Sequence, residues 1–455
     1  MPTAYTILFL LLILVAAATW IIPAGSYDYV DGVPVAGTYH TVEQNPQGVG
    51  DVLKAAFSGF YDAVDVCIFI LMVGGFLGVV MKTGAVDAGV GNVIRRLGGR
   101  EQWLIPILMV FFGLGGTTYG MWEETMAFYP LLIPVFLAAG YDAVVGISVI
   151  LLGAGAGVIA STVNPFATGI AAGFAGVSLG EGIVLRLLEW VAFEVAAIWF
   201  VMAYAAKVKK NPSKSVVGVG AGKIQVSMDQ QVPFTAKRKV IMALFTLTFL
   251  IMVYAVVPFD EMGLSLPALG WWFPELSALF LVAGVVIGLI DRMSEEELVE
   301  TYVAGCADLL GVAFIIGISR GITVLMNDGA ITDTVLHWGE QALSGAGAIS
   351  FTLLVFALYL PLTILIPSSS GLATLSIPIV APLGKFAGVG GDLVVTAFQS
   401  ASGLVNIITP TAAVVMGALA LGHVPYDRWV KYVWKLILWF LLLALAFLVA
   451  GVLLG

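Results

Sequence analysis

Gly84-Ala85-Val86, then Pro130-x-x-x-Pro134-x-x-x-x-x-Gly140, then Asn164-Pro165: this punctuation returns 245 to 248 residues later as Gly329-Ala330-Ile331, Pro378-x-x-x-Pro382-x-x-x-x-x-Gly388 and Thr409-Pro410. A further anchor, Gly59-x-x-Asp62, returns as Gly305-x-x-Asp308. The charges beside the two copies are opposite in sign. Arg95, Arg96 and Arg100 follow Gly84, whereas Asp333 and Glu340 follow Gly329 with no Lys or Arg between. Cytoplasmic loops are enriched in Lys and Arg, so equivalent loops are expected on opposite faces of a membrane. Two copies inverted in this way are the plan of a secondary transporter.

Composition supports a membrane setting. The 455 residues are 60% hydrophobic and 11% charged, with a mean hydropathy of +1.03. A soluble domain could not bury that much apolar surface. Apolar runs reach the roughly 20 residues that span a bilayer, and they are continuous rather than alternating, which argues against a β-barrel. The net charge of −9 argues against nucleic acid as a partner, and the acids Asp28, Asp31, Glu43 and Asp51 collect in loops expected outside. Cys67 and Cys306 lack disulfide or metal-ligand spacing, and His40, His337 and His423 form no cluster, so no metal site is expected. The run from Ala4 to Ile22 lacks a basic start and exceeds the roughly 7–15 residues of a signal-peptide core, so it reads as the first spanning helix.

The expected fold class is an all-α polytopic membrane protein of two inverted-topology repeats, with about nine spanning helices, two of them broken, and two re-entrant helical hairpins. Plain spans are predicted near 4–23, 62–82, 183–206, 240–257, 273–291, 306–327 and 428–454, with interfacial helices at 86–98 and 330–343. The first repeat covers 1–206, with hairpin 103–139 and broken helix 142–177. The second covers 258–455, with hairpin 348–388 and broken helix 392–421. Between them lie a polar linker, 207–239, and a connecting helix, 240–257. If 103–139 turns back on itself, the basic linker (Lys207, Lys209, Lys210, Lys214, Lys223, Lys237, Arg238, Lys239) falls on the same side as Arg95 and Arg96, and so does the basic start of the last helix at Arg428, Lys431 and Lys435. The linker and N-terminus are then expected in the cytoplasm and the C-terminus outside, in the cytoplasmic (inner) membrane.

The chemistry is expected at four breaks. The hairpin tips read Gly115-Gly116-Thr117-Thr118-Tyr119-Gly120-Met121-Trp122-Glu123-Glu124 and Pro367-Ser368-Ser369-Ser370-Gly371. The helix breaks read Ser161-Thr162-Val163-Asn164-Pro165 and Ser402-Gly403-Leu404-Val405-Asn406-Ile407-Ile408-Thr409-Pro410. Unwound backbone at membrane depth must be buried in protein or line a wet cavity. Half-helix N-termini suit a carboxylate, and Ser368, Ser369 and Ser370 before Gly371 form a candidate cradle for one. Half-helix C-termini with Asn and Thr side chains suit a cation, which makes Asn164, Asn406 and Thr409 candidates for a coupling Na⁺. A lone Pro165 or Pro410 is commonly just a kink, and Ser or Thr commonly bonds its own helix; four breaks at matching positions in two copies point to a site. Thr117, Thr118, Ser161, Thr162 and Ser402 complete the candidate set. Glu123 and Glu124 are the costliest residues in it, about 2.5–3.5 kcal/mol each at mid-membrane, and read as a counter-ion for a cationic substrate or a proton-carrying group. Asp62 and Asp308 are expected to cap helices.

Gly120-Met121-Trp122-Glu123-Glu124-Thr125, Asn164-Pro165-Phe166, Ser369-Ser370-Gly371 with Pro378 and Pro382, and Thr409-Pro410-Thr411 together resemble the YfcC-type carriers of the C4-dicarboxylate anaerobic carrier (DcuC-like) group, in the ion transporter superfamily. The resemblance spans nearly the whole chain. It implies hairpins meeting at a substrate site, and a homodimer in which a transport domain slides elevator-fashion against a scaffold. It also implies two substrate classes: dicarboxylates for the wider group, basic amino acids for YfcC-type members. One stretch departs from the family pattern: Phe398-Gln399-Ser400-Ala401-Ser402-Gly403 lacks the acid of Phe-Gln-x-Gly-Asp-Gly.

The expected function is secondary transport of a small carboxylate-bearing metabolite, foremost an amino acid, including a basic one by exchange. The alternative is a Na⁺- or H⁺-coupled C4-dicarboxylate carrier, and a passive channel is a remote third. No enzyme motif is visible: HExxH, a His beside an acid pair and a Walker loop are all missing. The expected partners are the substrate, membrane lipid and a second copy of the chain, with no cofactor beyond a coupling Na⁺ or H⁺.

Overall fold

A computed structural model describes residues 4–30, 33–86, 88–89, 100–118, 120–178, 180–218, 233–256 and 266–454. Seventeen α-helices carry the described part of the chain. They are α1 (Ala4–Ala18), α2 (Val49–Asp62), α3 (Val64–Lys82), α4 (Leu104–Thr118), α5 (Tyr129–Ala138), α6 (Ala143–Ile159), α7 (Ile170–Ala175), α8 (Ile183–Lys210), α9 (Ala236–Val256), α10 (Phe273–Asp291), α11 (Glu295–Asp328), α12 (Thr332–Leu343), α13 (Ala348–Leu365), α14 (Ser369–Phe386), α15 (Gly391–Asn406), α16 (Ala413–Leu421) and α17 (Tyr426–Leu454). Five of them, α3, α10, α11, α13 and α17, are long and apolar enough to cross a bilayer. Exposed Leu and Trp side chains on α8, α10 and α17, among them Trp199, Leu289, Trp439 and Leu442, give these helices a surface suited to lipid rather than water. The protein is an all-α, multi-pass membrane protein.

The helices pack in two groups. In one, α11 lies against α2, α3 and α1, and α10 joins α3 to α9. In the other, α6 lies against α4, α5, α8 and α15, while α13, α14 and α17 close around α15. Glycines let backbones touch inside each group. A Cβ on Gly74 of α3 would stand 2.5 Å from the Gly305 carbonyl of α11, and one on Gly59 of α2 only 2.1 Å from that of Gly317. In the second group, a Cβ on Gly116 of α4 would stand 2.3 Å from the Ala154 carbonyl of α6, and one on Gly157 only 2.2 Å from that of Gly113. Such small-residue contacts are how membrane helices approach closely without a hydrophobic driving force. The seam between the groups is different. There α11 meets α16, and Gly417 of α16 faces the Met126 and Val312 side chains rather than backbone.

Before α2 the chain makes two small antiparallel pairs, β1 (Gly25–Ser26) with β4 (His40–Thr41) and β2 (Tyr29–Val30) with β3 (Val33–Pro34). This loop is tied to α12. The Tyr27 hydroxyl donates to Glu340, the Tyr29 hydroxyl to Asp333, and Tyr39 stacks on His337 at 4.0 Å between ring centres. Burial and these acids push the Tyr27 and Tyr29 hydroxyls well above the usual tyrosine range.

The four expected interruptions are present as breaks in helix. The chain leaves α4 at Thr118 and re-enters helix as a 3₁₀ run, Glu123–Phe128, leading into α5. The segment between α6 and α7 unwinds at 160–164 and tightens as a π-turn, Pro165–Gly169. The chain is extended at 366–368 between α13 and α14 and irregular at 407–412 between α15 and α16. Two expectations fail. Asp308 is no cap: α11 starts at Ser294, whose hydroxyl accepts from Glu297 N–H with Glu295, Glu296 and Glu297 in the first turn, so Asp308 sits mid-helix. Asp62 ends α2 rather than starting a helix and lies 3.9 Å from Arg320. The expected helix 86–98, with Arg95 and Arg96, falls almost wholly outside the described residues, as do Lys223 and the rest of 219–232.

Candidate functional site

Seven of the fourteen expected site residues line one small cavity of about 140 Å³: Glu123, Glu124, Asn164, Ser368, Ser369, Ser370 and Asn406. It lies between the two helix groups. Val66 of α3, Trp272 and Phe273 at the start of α10, and Arg320 of α11 complete its wall from the opposite group. A larger cavity, about 1090 Å³, runs along α3, α11 and α16 and is lined mostly by apolar side chains, with Asp308, His423, Asp427 and Arg428 among its polar residues.

Each cavity residue is placed by a break. Ser368 is the N-cap of α14: its hydroxyl accepts the Gly371 N–H at 3.2 Å and lies 3.3 Å from the Ser370 hydroxyl. The free N–H groups of that first turn and the partial positive charge of the helix end therefore face the cavity. Glu123 and Glu124 open the 3₁₀ run across from it. Glu124 is buried and accepts the Trp122 N–H at 3.1 Å; Glu123 is half-buried and lies within reach of the Arg320 charge. Gly120 holds the approach to these acids at φ +78°, and a Cβ there would stand 2.5 Å from the Asn164 amide. Only glycine therefore lets the first tip lie on the first helix break.

The other half of the expected set has different work. Thr117 and Thr162 stitch α4 to the break after α6. The Thr117 hydroxyl donates to Ala160 C=O (2.8 Å), the Thr162 hydroxyl donates to Thr117 C=O (3.0 Å), and Thr162 N–H donates to the same carbonyl (2.9 Å). Thr118 turns back to Leu114 of its own helix. Thr409 pairs with Thr411 (2.9 Å), and Thr411 C=O accepts from Ser319 of α11. Gly371 serves the Ser368 cap. Ser161 and Ser402 are buried beside the breaks with hydroxyl oxygens that meet no protein partner, and Asn406 Oδ1 is likewise unmatched. Buried oxygens of this kind at two half-helix ends are the donor type a Na⁺ ion takes.

Arg320, Trp272 and Phe273 were missed. The signal for Arg320 was available: one Arg inside an otherwise apolar span is a functional-site candidate by default. Trp272 carries no such mark, since nothing in its neighbourhood separates a cavity wall from a membrane-interface aromatic.

The family model for DcuC, the C4-dicarboxylate anaerobic carrier, matches residues 1–453. The chain belongs to that family. Among its relatives, an uncharacterized protein of Haemophilus influenzae is 35% identical over 503 residues, covering 99% of this chain and 97% of that one. YfcC of Escherichia coli K12, a candidate basic amino acid antiporter, is 30% identical over 480 residues, covering 95% and 92%. Two solved structures are more distant. The YdaH transporter of Alcanivorax borkumensis shares 14% identity at a TM-score of 0.44 over 98% of each chain. MtrF of Neisseria gonorrhoeae, from a class of antimetabolite efflux pumps, shares 17% at 0.45 over 98% and 94%. Membership of the family makes this chain a membrane transporter.

Proposed function

We propose that this carrier moves a small amino acid, including a basic one by exchange, through the cavity between its two helix groups. The observation that carries the reading is the pairing of opposite chemistries across about 140 Å³: the Ser368–Ser370 cradle on a helix N-terminus, and the Glu123–Glu124 pair facing it. That volume lies below the roughly 300–1,000 Å³ of drug-sized ligand sites, so the occupant is a small metabolite. The cradle receives the carboxylate, through N–H groups and hydroxyls, and the acids receive an ammonium. The basic amino acid antiporter name of YfcC supports the same polarity.

Arg320 favours a second reading. It gives the cavity another anion partner, so a C4-dicarboxylate could span from Arg320 to the serine cradle, in keeping with the family's name. Arg320 also lies near Glu123, and where the two neutralise each other the first reading stands.

In both readings the two copies lie inverted in the cytoplasmic membrane with the basic linker inside, and the two tips approach the same depth as re-entrant hairpins. Motion follows the seam. Side-chain contacts between α11 and α16 can be exchanged, whereas the backbone contacts inside each group cannot, so one group slides against the other in an elevator cycle. A coupling Na⁺ would take its oxygens from among Ser161, Ser402, Asn164, Asn406 and Thr409, of which Ser161 Oγ, Ser402 Oγ and Asn406 Oδ1 meet no protein partner.

A thermal-shift screen of purified protein, with and without Na⁺, tests this. A ligand at a hundredfold excess over its Kd adds about 2.7 kcal/mol to apparent stability. Arginine or ornithine should stabilise the wild type and lose that effect in Glu123→Gln. Stabilisation by succinate or fumarate that survives Glu123→Gln and is lost in Arg320→Gln would replace the amino acid with a dicarboxylate.

A further inference from the structure

α8 carries two acids and a base in the interior of the second helix group, away from the substrate cavity. Glu189 is fully buried, Glu194 is 4% exposed and Arg186 is 1% exposed. Glu194 lies against α4, where a Cβ on Gly113 would stand 2.4 Å from its Oε2. Glu189 faces α15 instead. The Ser400 hydroxyl donates to its Oε1 at 2.8 Å, and its Oε2 meets no protein partner. An acid kept only for structure would be expected to use both oxygens, since buried polar atoms are nearly always paired. Both Glu194 oxygens are unmatched too; what sets Glu189 apart is its bond from Ser400, which joins an intramembrane acid with an open oxygen to the polar residues of α15.

We propose that Glu189, together with Ser400, is a proton-binding site of this transporter, distinct from the substrate cavity and connected to it along α15. Two features of the packing define the connection. Toward the cavity, α15 is buried from Leu393 to Asn406 yet carries Gln399, Ser400, Ser402 and Asn406. Gln399 Oε1, Ser402 Oγ and Asn406 Oδ1 are all unmatched, and Asn406 itself lines the cavity. At 1.5 Å per residue, Ser400 to Asn406 spans about 9 Å, short enough for water or one rearranged side chain to bridge. In the other direction, Arg186 lies one turn before Glu189, and its guanidinium approaches Asp392 at the start of α15: one point beside Gly182 is 3.4 Å from Arg186 Nη1 and 2.9 Å from Asp392 Oδ2. Asp392 is partly open to the surface.

Among the described residues Arg186 is the charged group beside Glu189, and Asp392 stands beyond it, eight residues before Ser400 on α15. Glu194 is on another face of the same helix. The elements packed on α8 are otherwise neutral there, since α4, α6 and the Leu436–Leu454 stretch of α17 contain no titratable residue. Loading is a simple transfer. A hydronium ion on the Asp392 side gives its proton to Glu189 Oε2, forming the carboxylic O–H bond and leaving water; the same bond breaks to water on release. The inference deepens the transporter reading of the cavity and rests on it for its role in transport.

Infrared pH-difference spectra of the purified, ligand-free protein read the site directly. Among the protonated-carboxyl C=O stretches that titrate, one component should be present in the wild type and in Glu194→Gln and missing in Glu189→Gln. In Ser400→Ala, which keeps the acid, the band should move in frequency because its hydrogen bond is gone. Absence of the band from the wild type, its persistence in Glu189→Gln, its loss in Glu194→Gln, or an unmoved band in Ser400→Ala would each overturn the assignment, and the Ser400→Ala reading holds even where Glu189→Gln fails to fold. In vesicles, accumulation driven by a pH gradient should fall at least tenfold in Glu189→Gln while the ligand-induced thermal shift remains. A wild type that shows the band but no shift with any amino acid or dicarboxylate would fault the substrate reading and leave the proton site standing.

Discussion

The two tips share one sequence pattern and are held in different ways. The first is sewn into its neighbour: Thr117 and Thr162 exchange hydrogen bonds, and Gly120 fits against Asn164 with no room for a methyl group. Among the described residues, the second makes its side-chain hydrogen bonds only within its own first turns, chiefly the Ser368 cap on Gly371. A tip fixed by long-range bonds presents its acids in one geometry, whereas a tip held by a local cap can open at little cost. On the proposed reading of the cavity, its acidic side is therefore the preformed side and its serine side the one that would adapt to a ligand.

Substitutions can break or sharpen that contrast. Gly120→Ala meets a left-handed backbone and the Asn164 amide at once, and should cost about 2–4 kcal/mol of stability in thermal unfolding, from backbone strain and overpacking together. Gly371→Ala, whose Cβ would meet only the Ser368 side chain at 3.2 Å, should cost far less in the same assay; equal costs would erase the distinction between the tips. Thr117→Val removes a buried hydroxyl and leaves Ala160 C=O without it, a loss of about 1–3 kcal/mol in stability with ligand affinity per folded molecule unchanged. Ser368→Ala should do the reverse. It removes a cap worth about 0.5–2 kcal/mol at the helix end proposed to receive the ligand, so calorimetric affinity should fall more than melting temperature. Thr118→Ala should be the mildest, within about 0.5 kcal/mol and with no change in affinity, because its hydroxyl only returns to Leu114.

The breaks were legible in sequence because Pro, Gly and small polar residues interrupt apolar runs for a reason that is local: the backbone cannot continue as helix there. Which broken segment faces the ligand was not local. Thr118 and Ser368 look alike in sequence, and only the turn each hydroxyl makes separates them. Asp308 reads as a cap because the apolar stretch begins beside it, whereas α11 itself extends back through Glu295–Glu297, so the edge of hydrophobicity is not the edge of the helix. Arg186, Glu189, Glu194 and Arg320 sit in spans that read as plain by their average hydropathy. Averages hide single charges, and in a membrane the single charge is the informative residue.

The glycine contacts bear on how such a chain can change over time. Where Gly74 meets Gly305, each residue touches the other helix's main chain, and Gly116 and Gly157 likewise face main chain on the neighbouring helix, so none of these positions admits a side chain unless the helices separate. Single steps at these places are closed. Variation is left to the seam, at residues such as Val312, Met126 and those lining the cavity, where one side chain can be traded for another. A changed cavity lining can therefore arise one substitution at a time, while the close-packed helix pairs on either side of it pass from ancestor to descendant intact.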